Sequence, residues 1–136
     1  MHPIRTFLVE DSSLIREQLI AALEEMLPLD VVGTAEDEAG ALNWLAGGGH
    51  RADLVIVDIF LKGGSGLGVL RALRVLPHGR RVVVLSNYAT ADMRRTCLEL
   101  GADRVFDKSH DIDALILYCA GLAGAASAGD PAITPA

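Results

Sequence analysis

The sequence contains no run of about 18 or more apolar residues, so nothing in it is long enough to span a bilayer as a helix. The opening stretch, Met1-His-Pro-Ile-Arg-Thr-Phe, lacks the long apolar segment of a signal peptide. Cysteine is scarce. Cys97 and Cys119 are far apart and both fall in helical patterns, which favours reduced thiols and a cytoplasmic protein. His2, His50, His78 and His110 are scattered without metal-ligand spacing, which argues against a zinc site. Positive charge is also short: the net charge is −6, unsuited to a large surface for nucleic-acid phosphates. No internal repeat and no second domain are visible, and 136 residues suit one domain.

Apolar residues make up 51% of the chain, enough for a real core. Their pattern alternates between strand and helix. Ile4 to Val9 reads as a first strand, ending on Glu10-Asp11. Ser12 or Ser13 can cap the next helix, whose apolar stripe is Leu14, Ile15, Ile20, Leu23 and Leu27, and Pro28 ends it. Val31 to Ala35 predicts a second strand. Glu36-Asp37-Glu38 starts a second helix that turns Leu42 and Leu45 to the core, and Gly47-Gly48-Gly49 stops it. Leu54 to Val57 predicts a third strand buried on both faces, ending on Asp58.

Beyond the glycine-rich stretch Gly63 to Gly68, Leu67, Leu70, Leu73 and Leu76 mark a third helix, closed by Pro77-His-Gly79. Arg81 to Leu85 reads as a fourth strand ending on Ser86, and Ala89 to Leu100 as a fourth helix capped by Gly101. Arg104 to Phe106 is a fifth strand followed by Asp107-Lys108, and Ile112 to Leu122 a fifth helix. The folded domain is expected over residues 1–122, and the Ala-, Gly- and Pro-rich segment from Ala123 to Ala136 as a disordered tail. Alternating strands and helices predict an α/β fold, a doubly wound parallel sheet with helices on both faces.

In such a sheet all carboxyl ends lie on one edge, where open α/β folds bind ligands. Glu10, Asp11, Asp58, Ser86 and Lys108 would meet there. Each alone reads as a cap, a turn residue or a surface lysine. Together they supply the parts for phosphoryl transfer to a carboxylate. Aspartate can be the nucleophile. Carboxylates that crowd one another call for a hard divalent cation, and magnesium takes oxygen ligands plus phosphate. A lysine and a hydroxyl can hold the remaining phosphoryl oxygens.

These residues resemble the receiver domain of two-component response regulators, over residues 4–122. The resemblance rests on Glu10-Asp11, on Asp58 followed by Leu61 and Gly63-Gly-Ser-Gly66, on Ser86-Asn-Tyr-Ala89, and on Gly101-Ala-Asp followed by Lys108-Ser109. It implies a flavodoxin-like sheet of order 2-1-3-4-5. It implies Asp58 as phosphoacceptor, Asp11 as direct magnesium ligand, Glu10 as the helping acid, and the Phe60 carbonyl completing the metal shell. It matches Ser86 to the hydroxyl residue and Lys108 to the phosphate-contacting lysine. Phe60 and Tyr88 would border the path of the water that hydrolyses the phosphoryl group. The chain departs from the pattern at Lys62, where the family has proline, at Ser109, which often is proline, and at Val105, where an aromatic switch residue is usual. Phe106 should point to the opposite face of its strand.

The resemblance implies partners too: a histidine kinase or histidine phosphotransfer protein upstream, an unknown protein downstream, and contact or dimerisation through the face of helix four, strand five and helix five. Without an attached output domain the chain reads as a stand-alone receiver, with an excised domain of a longer regulator as the alternative. Neither nucleic acid nor membrane is expected as a direct partner, and the protein is expected to be a phosphoacceptor with self-catalysed chemistry rather than an enzyme with a separate substrate. Competing classes are a receiver-like binding module that signals without phosphorylation and an aspartyl-phosphate hydrolase of the haloacid dehalogenase type. The hydrolase usually has a second aspartate two residues after the nucleophile, where this chain has Phe60. A nucleotide enzyme fits worst, since Gly63 to Gly68 completes neither a dinucleotide fingerprint nor a P-loop.

Overall fold

In the computed structural model of the chain, residues 3–47, 51–76, 80–87 and 89–128 are described. The strands are β1 (Ile4–Val9), β2 (Leu29–Ala35), β3 (Leu54–Val57), β4 (Arg81–Ser86) and β5 (Arg104–Asp107). The helices are α1 (Ser13–Met26), α2 (Glu38–Ala46), α3 (Gly66–Val75), α4 (Ala91–Glu99) and α5 (Ile112–Ala128). All neighbouring strands are parallel, and their order is β2-β1-β3-β4-β5, as expected.

The central strand explains the layering. Leu54, Val55, Ile56 and Val57 are all fully buried, so both faces of the sheet need cover. Side chains alternate across a strand. Leu54 and Ile56 therefore join Leu8, Leu85 and Phe106 beneath Leu23 of α1 and Leu115 and Cys119 of α5. Val55 and Val57 join Phe7 and Val9 against Ala41 and Leu45 of α2 and Val69 of α3. Next to them, Val84 and Val105 pack under Leu70 and Cys97. Val105 and Phe106 thus lie on opposite faces, as the strand period requires.

Helix starts follow local chemistry. Ser12, Asp37, Ser65 and Thr90 each accept a hydrogen bond from an amide of the first turn of α1, α2, α3 and α4. Helix α4 therefore begins at Ala91 rather than Ala89, because Thr90 and not an earlier residue supplies the cap. It ends in a paired closure: the Gly101 amide reaches Leu98 O at 3.0 Å and the Ala102 amide reaches Cys97 O at 3.0 Å. That closure needs a positive φ, and Gly101 has φ 102°.

Some side chains and ends differ from expectation. Leu14 is 62% exposed, since α1 docks through Leu23 near its other end. In α2 it is Ala41 with Leu45, one turn apart, that is buried, and Leu42 sits to the side. Helix α5 passes Leu122 and runs to Ala128. Leu115, Cys119 and Ala123 repeat at one-turn spacing and all reach the core, and alanine keeps the helix going. The expected closing turn at Pro77-His-Gly79, Gly48, Gly49, Tyr88 and the tail after Ala128 lie outside the described residues.

Cys97 and Cys119 are free, buried and on opposite faces of the sheet, so they cannot pair without unfolding. Burial raises both thiols, Cys119 to about 11. The thiolate is the reactive form. At pH 8 both thiols should react with a disulfide reagent at least ~100-fold slower in the native protein than in urea. Rapid native labelling of either would show that its helix does not pack as described.

Candidate functional site

Each candidate residue sits at or just past a strand end, held by an extension of the ladder. The Glu10 amide bonds Ala35 O at 2.9 Å, the Asp58 amide bonds Val9 O at 3.0 Å, and the Lys108 amide bonds Ser86 O at 3.0 Å. Ser86 closes β4 opposite Asp107 of β5. These backbone bonds bring Glu10, Asp11, Asp58, Ser86 and Lys108 to the same edge of the sheet.

The side chains then converge. Lys108 Nζ lies 2.8 Å from Asp58 Oδ2 and 2.5 Å from Glu10 Oε1. Glu10 and Asp58 are 1% and 6% exposed, and Ser86 is wholly buried. The second oxygen of Glu10 accepts from the Ser12 amide at 3.0 Å, and Asp58 Oδ1 accepts from the Phe60 amide at 3.2 Å. One carboxylate oxygen each from Glu10, Asp11 and Asp58 fall within 4.8 Å of one another.

The electrostatics follow from burial. Loss of water pushes the Glu10 carboxyl above its ordinary value, and the bonds from Lys108 and the Ser12 amide pull only part of the way back. Burial alone would lower Lys108. The bonds to Asp58 and Glu10 outweigh it and hold the ammonium above its usual 10.5.

A hard cation fits the donor set. Glu10, Asp11 and Asp58 offer only oxygen, and a single ammonium does not offset three carboxylates. The Phe60 backbone belongs to the same loop as Asp58, and its side chain is 47% exposed at the rim. Tyr88, expected beside it, is outside the described residues.

Sequence reasoning missed residues that hold the site from behind. Arg16 of α1 donates to Glu10 O at 2.7 Å. Arg94 of α4 donates to Ala89 O at 3.1 Å, to Val105 O at 2.8 Å and to Asp111 Oδ2 at 3.3 Å. Asp111 in turn accepts from the Asp107 amide at 2.9 Å, one residue before Lys108. That amide bond, with Arg94 beside it, holds the Asp111 carboxyl below the usual carboxylate range. The partners of Arg16 and most of those of Arg94 are backbone carbonyls, which leave no mark in sequence, and the Arg94–Asp111 pair joins residues 17 apart that only the fold brings together.

The family model for the response regulator receiver domain matches residues 6–119. The chain belongs to this receiver family. A curated relative, the protein-glutamate methylesterase/protein-glutamine glutaminase 5 of Myxococcus xanthus (strain DK1622), is 36% identical over 107 residues, covering 78% of this chain and 30% of the relative. The sporulation initiation phosphotransferase F of Bacillus subtilis (strain 168) is 36% identical over 64 residues, 47% of this chain and 52% of the relative. The receiver thus spans from about a third to half the length of these relatives. Among solved structures, the signal receiver domain of the response regulator NarL from Mycobacterium tuberculosis superposes with TM-score 0.76 at 27% identity, covering 89% of this chain and 98% of that one. Receivers act in two-component signalling, and this chain shares their fold and their acidic edge.

Lys108→Met should leave Glu10 and Asp58 facing each other without counter-charge. Breaking a buried pair this way costs roughly 3 kcal/mol or more. In chelator at pH 8, the urea midpoint should fall accordingly. A group whose folded pKa is raised loses stability as pH climbs from its ordinary value, here 4.5 for Glu10, through the folded one. The loss should therefore shrink toward pH 5, and millimolar magnesium should restore part of it at pH 8. Equal losses at both pH values, unmoved by magnesium, would mean that the carboxylates do not depend on Lys108.

Proposed function

We propose that this receiver accepts a phosphoryl group on Asp58 from a phosphohistidine of a histidine kinase or phosphotransfer protein. The observation that carries the reading is Lys108 Nζ at 2.8 Å from Asp58 Oδ2, within a buried acidic edge. In the transfer, a carboxylate oxygen of Asp58 bonds to phosphorus while the phosphorus–nitrogen bond breaks. The electron pair stays on the imidazole, which takes a proton. Asp58 is held for this by its own strand end and by the Phe60 amide. Lys108 can follow a phosphoryl oxygen with its ammonium, and the buried Ser86 hydroxyl can donate to another.

Magnesium, held by Glu10, Asp11, Asp58 and the Phe60 carbonyl, would offset the charge of the phosphoryl oxygens. Positioning and charge offset are most of what phosphoryl transfer asks of a protein. The chain is a phosphoacceptor in this reading, not an enzyme with a separate substrate. The similarity to the methylesterase covers 30% of that protein, so its activity stays with the relative. The phosphotransferase relative favours relay of the group as one use of the site. Output would be a change in protein contacts, with the surface of α4, β5 and α5 as the contact or dimer face. No described helix is long and apolar enough to cross a membrane.

With acetyl phosphate and magnesium, the wild type should take one phosphoryl group, and Asp58→Asn should fold and take none. Full labelling of that variant would remove Asp58 from the role. A second expectation concerns lifetime. Hydrolysis needs a water in line with the phosphorus–oxygen bond, and the Phe60 ring cannot orient one as an amide could. Phe60→Asn should speed loss of the group several-fold after acetyl phosphate is removed at constant magnesium. Decay no faster than wild type would show that this ring does not gate the water.

A further inference from the structure

The glycine-rich stretch from Gly63 to Gly68 follows Asp58 closely, yet nothing in the chemistry above uses it. Its glycines lie against two things. A Cβ at Gly64 or at Gly68 would overlap the carboxylate of Glu38, and a Cβ at Gly66 would overlap the backbone carbonyl of Asp58. Gly64 also has φ 77°, a conformation other residues resist. Gly68 lies within α3, where glycine is about 1 kcal/mol worse than alanine, so its presence there calls for a reason.

Glu38 meets the stretch through two hydrogen bonds. Its amide donates to Gly63 O at 3.0 Å, and its Oε1 accepts from the Ser65 amide at 2.8 Å. An acid in the first turn of a helix ordinarily serves its own helix. Here Asp37 already caps α2 through the Gly40 amide at 2.7 Å, and the Glu38 carboxylate reaches across to the other loop. Ser65, so held, caps α3, and the Gly66 amide closes the loop onto Ile59 O at 2.9 Å.

We propose that Glu38 is a positioning residue for Asp58, its carboxylate clasped by Gly64 and Gly68 so that the β3–α3 loop is fixed. The inference rests on Asp58 being the phosphoacceptor. The loop from Ile59 to Ser65 has no proline and two glycines, so its own backbone does little to restrict it. Its opening half carries the Phe60 amide that bonds Asp58 Oδ1, and its closing half carries both bonds to Glu38. The backbone bond from the Glu38 amide to Gly63 O does not depend on the side chain. Removing the carboxylate takes away the bond to the Ser65 amide and the packing against Gly64 and Gly68, which loosens the closing half and lets the Phe60 backbone shift relative to Asp58.

The test uses Glu38→Ala, Glu38→Gln and Gly68→Ala in the full chain, with acetyl phosphate and magnesium. Misplacement of a reacting group by a fraction of an ångström costs rate steeply, so Glu38→Ala and Gly68→Ala should label about fivefold to tenfold more slowly. Glu38→Gln keeps the acceptor for the Ser65 amide and should stay within about twofold of wild type. Gly68→Ala replaces a helical glycine, so slow labelling without a lower Tm is a pairing that loss of stability would not produce. The Phe60 amide resonance should shift in Glu38→Ala and in Gly68→Ala and stay in place in Glu38→Gln. Wild-type labelling rates in both disrupting variants, or an unmoved Phe60 amide, would overturn the proposal. If the wild type itself takes no label, the phosphoacceptor reading fails, and the Phe60 amide alone decides the positioning role.

Discussion

One ammonium group sits between two buried carboxylates, and the working edge of the sheet is built around that fact. Glu10 and Asp58 are almost without solvent, and among the described residues the side-chain cation bonded to both is Lys108. A lone charge at such a place would be neutralised or expelled. The three residues come from three strand ends, far apart in sequence, so the pairing demands that β1, β3 and β5 end at one level. The registers achieve it: Val9 faces Val57, Val57 faces Val84, and Ser86 faces Asp107.

The sheet can meet that demand because its centre is apolar on both faces. Leu54 to Val57 fill two cores at once, each side chain worth roughly 1.5–3 kcal/mol when fully buried. A slip of one residue would exchange the two faces of β3 and carry Asp58 out of line with Val9. Packing therefore fixes the register, and the register fixes where the carboxylate lies. The stacking of Trp44 on Phe7, with ring centres 4.1 Å apart, works the same way at the far side of β1. It is allowed only because Gly33 has no side chain to strike the indole.

The sequence made much of this legible. Strand β3 was readable to the residue, since a short branched apolar run between Asp53 and Asp58 has few other readings. The convergence of Glu10, Asp11, Asp58, Ser86 and Lys108 followed from parallel strands placing their carboxyl ends together. The strand order did not follow from periodicity; it came from resemblance. Two kinds of feature stayed hidden. The length of α5 depended on Ala123 reaching the core, which small residues do not announce. The contacts of Arg16, Arg94 and Glu38 depended largely on backbone partners and on glycines far away in sequence, where residue type carries no signal.

Val105 bears on how a change at Asp58 could be felt elsewhere. It is a small buried residue under α4, with no ring to swing outward. The same strand is tied by its backbone instead. Arg94 grips Val105 O, the Ala89 carbonyl of the β4–α4 loop, and Asp111 at the head of α5. Asp111 holds the amide of Asp107, and the next residue is Lys108 with its hand on Asp58. Lys108 directly follows β5, so a shift of its backbone would bear on the Asp107 amide and through it on Asp111. Among the described residues, Arg94 and Asp111 thus tie α4 and the head of α5 to the end of β5, one residue before Lys108.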